Sequence, residues 1–165
     1  MDHIRRVVIG LGSNLGDRLA NVGQAIERLR AEEDIHVLDV SPLYETAPEG
    51  VASGAPVQGD YVNGAALIVT AIDASEILQR LLGIEKVLGR VRGEKNAART
   101  IDLDILWIEG ETLSRDDLTV PHPRLVERAF ALRPLVDLAP DAKHSESGVV
   151  FAELPLASAE LRRVG

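Results

Sequence analysis

Residues 100–110 read Thr-Ile-Asp-Leu-Asp-Ile-Leu-Trp-Ile-Glu-Gly, and the alternation of apolar and polar residues through its first half marks a strand. Ile101, Leu103, Ile105 and Trp107 are expected on one face, with Asp102 and Asp104 on the other. The apolar face requires a covering layer, so the strand belongs to a sheet packed against helices. The polar face carries two carboxylates at i and i+2, projecting together at roughly 6 to 7 Å. Oxygen donors at that spacing suit hard cations such as the Mg2+ that accompanies nucleotide phosphates. A solvated edge strand would present the same pattern, so the neighbouring residues have to decide.

Immediately upstream stand Arg90, Arg92, Lys95 and Arg99. Arginine pairs bidentately with phosphate and keeps its charge at any ordinary pH. A basic loop beside two carboxylates points to a metal-polyphosphate site, with arginines on the phosphates and aspartates on the metal. Before that loop, Asp73-Ala-Ser-Glu76 has the form of a helix start, and Ile77, Leu78, Leu81, Ile84 and Leu88 recur at helical spacing up to Gly89.

Further upstream, Asp60 to Thr70 (DYVNGAALIVT) reads as a strand on which Tyr61 and Asn63 share one face. A ring beside a carboxamide suits a flat heterocycle, and Phe130 is available as the opposite wall. Residues 47–59, rich in Pro and Gly, form a long loop of the kind that is more often functional than neutral. His36 to Tyr44 reads as a single strand, and Leu19, Val22, Ile26 and Leu29 as a helix that Asp17 would cap. Ile4 to Leu11 is a buried strand. Gly10, Gly12 and Gly16 follow no dinucleotide or P-loop spacing, so they are read as a turn and cap whose amides are still able to line a pocket. Downstream, Glu109-Gly110-Glu111 turns into a short returning strand, and His122 lies between Pro121 and Pro123, with Arg128 and Phe130 following. The last stretch carries no clear pattern.

Strand, helix, strand, strand, helix, strand is the order of the split βαβ, ferredoxin-like sandwich: an α+β fold with helices on one face of a mainly antiparallel sheet and the other face open to a ligand. At 165 residues and 45% apolar content, one domain over residues 1–165 is expected. A formal charge of -8 argues against a nucleic-acid partner, so any phosphate ligand must meet a focused basic cluster. The chain has no cysteine, hence no disulfide or thiolate metal site. The first apolar run is too short for a signal or membrane segment, and a cytoplasmic, monomeric protein is expected.

Six segments, GLGSNLGDR (10–18), SPLYETAP (41–48), DYVNGA (60–65), IEKVLGRVR (84–92), ARTIDLDIL (98–106) and VPHPRLVERAFALRPL (120–135), resemble in order and spacing the motifs of the 6-hydroxymethyl-7,8-dihydropterin pyrophosphokinases. The resemblance implies a ferredoxin-like enzyme of folate biosynthesis that transfers pyrophosphate from ATP to the pterin hydroxymethyl group, releasing AMP. It also implies that Asp102 and Asp104 hold two Mg2+ ions and that Arg90, Arg92, Lys95 and Arg99 meet the phosphates. Glu85, Ile105, Thr119, His122 and Arg128 would seat the nucleotide, and Thr46, Tyr61, Asn63 and Phe130 the pterin. RGEKNAART (92–100) lacks the Trp and Pro that the family often carries there, and GVASGAPVQGD (50–60) is longer than usual. Two other readings fit parts of the pattern: a Mg-dependent nucleotidyltransferase on a palm-like sheet, and a ferredoxin-like small-molecule sensor.

Overall fold

The computed structural model describes residues 3–47, 60–89 and 101–164. In chain order the strands are β1 (Arg5–Ser13), β2 (Ile35–Val40), β3 (Leu43–Thr46), β4 (Tyr61–Thr70), β5 (Asp102–Ile108), β6 (Leu113–Ser114), β7 (Thr119–Val120) and β8 (Arg162–Val164). The helices are α1 (Arg18–Ala31), α2 (Ala74–Val87) and α3 (Ala129–Leu138). Among the described residues, no helix is long and apolar enough to cross a membrane.

The main sheet runs β5-β1-β4-β3-β8, with β2 also pairing β4, and every pairing is antiparallel. This is the ferredoxin-like arrangement expected from the element order. Both long helices begin where the sequence places their caps. Asp17 accepts from the Ala20 amide at 3.1 Å and Asp73 from the Glu76 amide at 2.9 Å, each occupying a donor that lacks an intrahelical partner. Val22, Ala25 and Leu29 of α1 and Ile77, Leu81 and Ile84 of α2 then pack on one sheet face, against Val7, Ile9, Leu11, Ile68, Leu103 and Ile105.

The segment expected as a single strand from His36 to Tyr44 is two strands. Pro42 cannot donate to a ladder, and both backbone groups of Ala65 turn instead to Ser41: its amide donates to Ser41 Oγ and its carbonyl accepts from the Ser41 amide, both at 2.9 Å.

The second sheet face is only half open. Val8, Ala65, Leu67, Leu106 and Trp107 form a second core with Leu132 and Leu135 of α3 and with Phe151 and Ala157 of the C-terminal segment. Trp107 therefore departs from the expected alternation. In the β1–β5 ladder Ile9 pairs with Ile105 but Val8 with Trp107, leaving Leu106 as the extra residue of a bulge. Beyond the bulge the alternation reverses, so Trp107 joins Leu106 beneath α3 and Ile108 returns to the α1–α2 side. The indole Nε1 donates to the Lys143 carbonyl at 2.9 Å, which pairs its only polar atom. The patternless C-terminal stretch thus closes one half of this face, and the other half remains as a cavity.

Candidate active site

The cavity has a volume of about 280 Å3. Its floor is set by sheet register. Asp102 pairs with Gly12, Gly12 with Asn63, and Asn63 with Tyr44, so these four share one cross-strand row on the α3 side. The adjacent row is Asp104, Gly10, Ala65. Gly10 and Gly12 are thus interior strand positions rather than part of the turn the sequence suggested, because β1 continues to Ser13; Gly16, with φ +71°, makes the turn. Their missing side chains leave open space between the carboxylates on β5 and the polar groups on β4. A Cβ on Gly12 would lie 3.1 Å from Asn63 Oδ1 and 3.6 Å from the Tyr61 ring, and one on Gly10 would lie 3.2 Å from the Leu106 side chain.

On the β4 side, Asn63 is 6% exposed and its Nδ2 donates to Thr46 Oγ1 at 2.6 Å. That contact turns the amide oxygen toward Gly12. Opposite stands the first turn of α3. Phe130 and Ala131 line the cavity, and the Arg128 guanidinium lies 5.5 Å from the centroid of the Phe130 ring, a cation–π contact that orients both.

His122 also lines the cavity, within electrostatic reach of Asp102. Its amide donates to the Leu106 carbonyl at 2.9 Å, tying it to β5. Its Nδ1 accepts from the Arg124 amide at 3.2 Å, which places the proton of the neutral ring on Nε2. Burial lowers the His122 pKa, the cation of Arg128 lowers it further, and Asp102 opposes them. At neutral pH His122 is therefore an uncharged ring with one N–H to donate.

Of the residues singled out from the sequence, Thr46, Tyr61, Asn63, Asp102, Asp104, His122, Arg128 and Phe130 line this one cavity. Glu85, Ile105 and Thr119 do not. Glu85 is 2% exposed on α2, and its Oε2 accepts from the Leu103 amide at 2.8 Å, so the carboxylate supports the outer edge of β5 from beneath. Ile105 packs into the α1–α2 core, and Thr119 pairs with Ser114 in the β6–β7 ribbon. Arg90, Arg92, Lys95 and Arg99, and nearly all of the 47–59 loop, lie outside the described residues. Leu106 and Ala131 were not singled out, and Gly10 and Gly12 were read as a turn whose amides could line a pocket rather than as strand positions beneath it; period-two alternation carried back through residues 8–13 is the signal that places the two glycines on this face.

A protein-family model described as 7,8-dihydro-6-hydroxymethylpterin-pyrophosphokinase (HPPK) matches residues 8–140. The chain belongs to this family. A Synechocystis protein named 2-amino-4-hydroxy-6-hydroxymethyldihydropteridine pyrophosphokinase is 38% identical over 147 residues, covering 89% of this chain and 73% of its own length. A Methylorubrum extorquens protein of the same name is 40% identical over 136 residues, covering 82% of this chain and 84% of its own. The pea "Folate synthesis bifunctional protein, mitochondrial" is 42% identical over 141 residues, and there the match spans only 26% of the longer protein. A crystal structure of Plasmodium falciparum HPPK-DHPS with pteroate superposes with a TM-score of 0.68 at 14% identity, over 93% of this chain and 40% of that one. That likeness establishes the fold. Every cavity residue named above falls within the stretch that the HPPK family model matches.

Proposed function

We propose that this chain transfers pyrophosphate from ATP to 6-hydroxymethyl-7,8-dihydropterin, giving AMP and the pterin diphosphate, as a Mg2+-dependent step of folate biosynthesis. The observation that carries the reading is the division of one cavity into two chemistries, a carboxylate pair on β5 and a ring-and-amide pair on β4, separated by the bare backbone of Gly10 and Gly12.

In the reaction, the pterin hydroxymethyl oxygen forms a bond to the β-phosphorus of ATP. The bond from that phosphorus to the oxygen bridging the α-phosphorus breaks, AMP leaves with that oxygen, and the hydroxyl proton passes to solvent. Phosphoryl transfer of this kind asks the protein mainly for positioning and charge compensation. Tyr61 and Phe130 would sandwich the pterin, with Asn63 and the chain around Thr46 reading its polar edge. Asn63 suits the task because its amide is already oriented by Thr46.

Asp102 and Asp104 would hold two Mg2+ ions. Their donor set fits: two hard oxygen donors, half-buried on one strand face, stand opposite glycines that leave room for phosphate oxygens and water as the remaining ligands. Bound there, the metal would supply charge neutralisation for the polyphosphate. His122 Nε2–H and the Arg128 guanidinium, both lining the cavity, would donate to phosphate oxygens, and Arg90, Arg92, Lys95 and Arg99 are proposed to complete the anion site. The reading extends to Glu85, Ile105 and Thr119 as indirect supports of the nucleotide. It also carries a single domain over residues 1–165, acting as a cytoplasmic monomer without a nucleic-acid or membrane partner, which the net charge of -8 favours.

The test is AMP release from ATP by the purified protein in Mg2+, with and without 6-hydroxymethyl-7,8-dihydropterin. Pterin-dependent AMP is expected. Pyrophosphate as the product, or ATP turnover indifferent to the pterin, would overturn the proposal.

A further inference from the structure

Tyr44 was read from the sequence as the end of a strand and as part of the SPLYETAP motif, with no role of its own, yet it stands in the same cross-strand row as Asp102, Gly12 and Asn63. It is 3% exposed, and its hydroxyl donates to Asp137 Oδ2 at 2.5 Å. Asp137 belongs to α3, the helix whose N-cap is Arg128 and whose first turn carries Phe130. Seven residues separate Phe130 from Asp137, close to two helical turns, so both project from the same side of α3. The second Asp137 oxygen accepts from Arg133 Nε at 3.1 Å, and Arg133 Nη1 reaches the Ala159 carbonyl at 3.4 Å.

Arg133 of the same helix also acts on the Tyr44 hydroxyl, and the core contacts of α3 with the sheet are apolar. Leu132 and Leu135 bury against Val8, Ala65, Leu67 and Leu106. Apolar contact holds a helix down but is non-directional, and it leaves a helix some freedom to roll or slide over a flat patch of Val, Ala and Leu. A phenol hydroxyl paired to a carboxylate is short and directional. A hydroxyl buried in this position also has to be paired, whereas a phenyl ring would fill the same space with no polar atom to satisfy. Burial first, and then the neighbouring Asp137, raise the Tyr44 pKa, so the hydroxyl remains a donor at neutral pH.

We propose that Tyr44 and Asp137 are positioning residues for the pyrophosphokinase reaction: their hydrogen bond sets the roll of α3 on the sheet and thereby the spacing of Phe130 from the Tyr61–Asn63 wall. The inference rests on the pterin reading above. The carboxylates that would take the metal stand on β5 and are placed by its ladder with β1, not by the Tyr44–Asp137 hydrogen bond. Misplacing the helix therefore costs pterin affinity first and nucleotide affinity much less, through Arg128 alone.

The experiment measures the dissociation constants of the hydroxymethyl-dihydropterin and of MgATP, with kcat and each KM, for wild type, Tyr44→Phe, Asp137→Asn, Asp137→Leu and the Tyr44→Phe/Asp137→Leu double variant. Tyr44→Phe is expected to weaken pterin binding about tenfold, to weaken MgATP binding by about twofold or less, and to raise the pterin KM more than it lowers kcat. Asp137→Asn keeps an acceptor oxygen and should restore most of the loss seen in Asp137→Leu. The double variant should bind pterin no worse than the weaker single variant, because the two groups act as one unit. Equal losses for both ligands, or coupling in thermal stability with none in pterin affinity, would reduce the pair to a fold contact and overturn the inference. So would unchanged pterin binding in Tyr44→Phe. A wild-type protein that does not bind the pterin would overturn the functional reading and this inference with it; a wild type that binds, beside a Tyr44→Phe that binds equally well, overturns the inference alone.

Discussion

Asp102 stands directly across the β1–β5 ladder from Gly12, and that pairing makes the floor of the cavity usable. Any side chain at position 12 would rise between the carboxylate and Asn63. For Gly12→Ala the new Cβ would lie 3.1 Å from Asn63 Oδ1 and 3.6 Å from the Tyr61 ring. The fold should survive at a cost of about 1–2 kcal/mol, since overpacking at one methyl is local. Pterin affinity should fall at least tenfold or so, because the displaced groups are those that read the ring. Urea unfolding alongside pterin titration separates the two effects. A Gly12→Ala protein with wild-type pterin affinity would show that the ligand does not lie over this row.

Asp102 and Asp104 face the cavity and take no part in the apolar core that orders β5. Asp102→Asn and Asp104→Asn should each lower kcat by about a hundredfold or more, the scale typical of losing a group that stabilises charge in the transition state. Near-native circular dichroism and melting temperatures are expected. Full activity in the double variant would rule out the metal role.

Phe130 is half-buried, so its truncation should cost the fold little while removing one wall of the pterin site. Phe130→Ala is expected to weaken pterin binding by about 1–3 kcal/mol, the range measured for flat rings stacked on aromatic side chains. ATP binding should change less, through the loss of the ring that orients Arg128. Titration calorimetry with each ligand alone decides the matter, and equal losses would remove Phe130 from the pterin site.

The pKa of His122 lies below its ordinary value, chiefly through burial and then through Arg128. The folded state accordingly binds fewer protons than the unfolded state just below the ordinary histidine pKa of 6.5. The stability this supplies is present above that value and is lost as pH falls through the lower folded pKa. Wild type should therefore lose stability from about pH 6.5 downward more steeply than His122→Gln, as read from urea midpoints across the series. Parallel profiles for the two proteins would show that His122 titrates alike in the folded and unfolded chains.

Glu85 supports β5 through the Leu103 amide between the two aspartates. Glu85→Gln retains an acceptor and should unfold nearly as wild type does. Glu85→Leu strands a buried amide and should cost about 1–3 kcal/mol in urea unfolding. If Glu85→Leu were as stable as wild type, the carboxylate would not be holding the strand.

Local rules were enough wherever the deciding interaction is short in sequence. The capping aspartates at positions 17 and 73, the helical spacing of the residues after them, and the carboxylate pair at 102 and 104 follow from periodicity and side-chain chemistry within a few residues. Together with the order of elements they determine the fold class, the sheet face that carries the acids, and, through six motifs, the family. Tertiary structure decided the rest, because it depends on which strand lies beside which. The bulge at Leu106 is a mismatch between β1 and β5, so neither strand announces it, and it alone sends Trp107 to the α3 side. Gly10 and Gly12 acquire their meaning only from the aspartates registered opposite them. The family resemblance sets Glu85 beside the nucleotide, and only the docking of α2 shows its carboxylate meeting the edge of β5. Tyr44 and Asp137, 93 residues apart, meet only because α3 crosses the sheet, and no periodicity in either segment encodes that crossing.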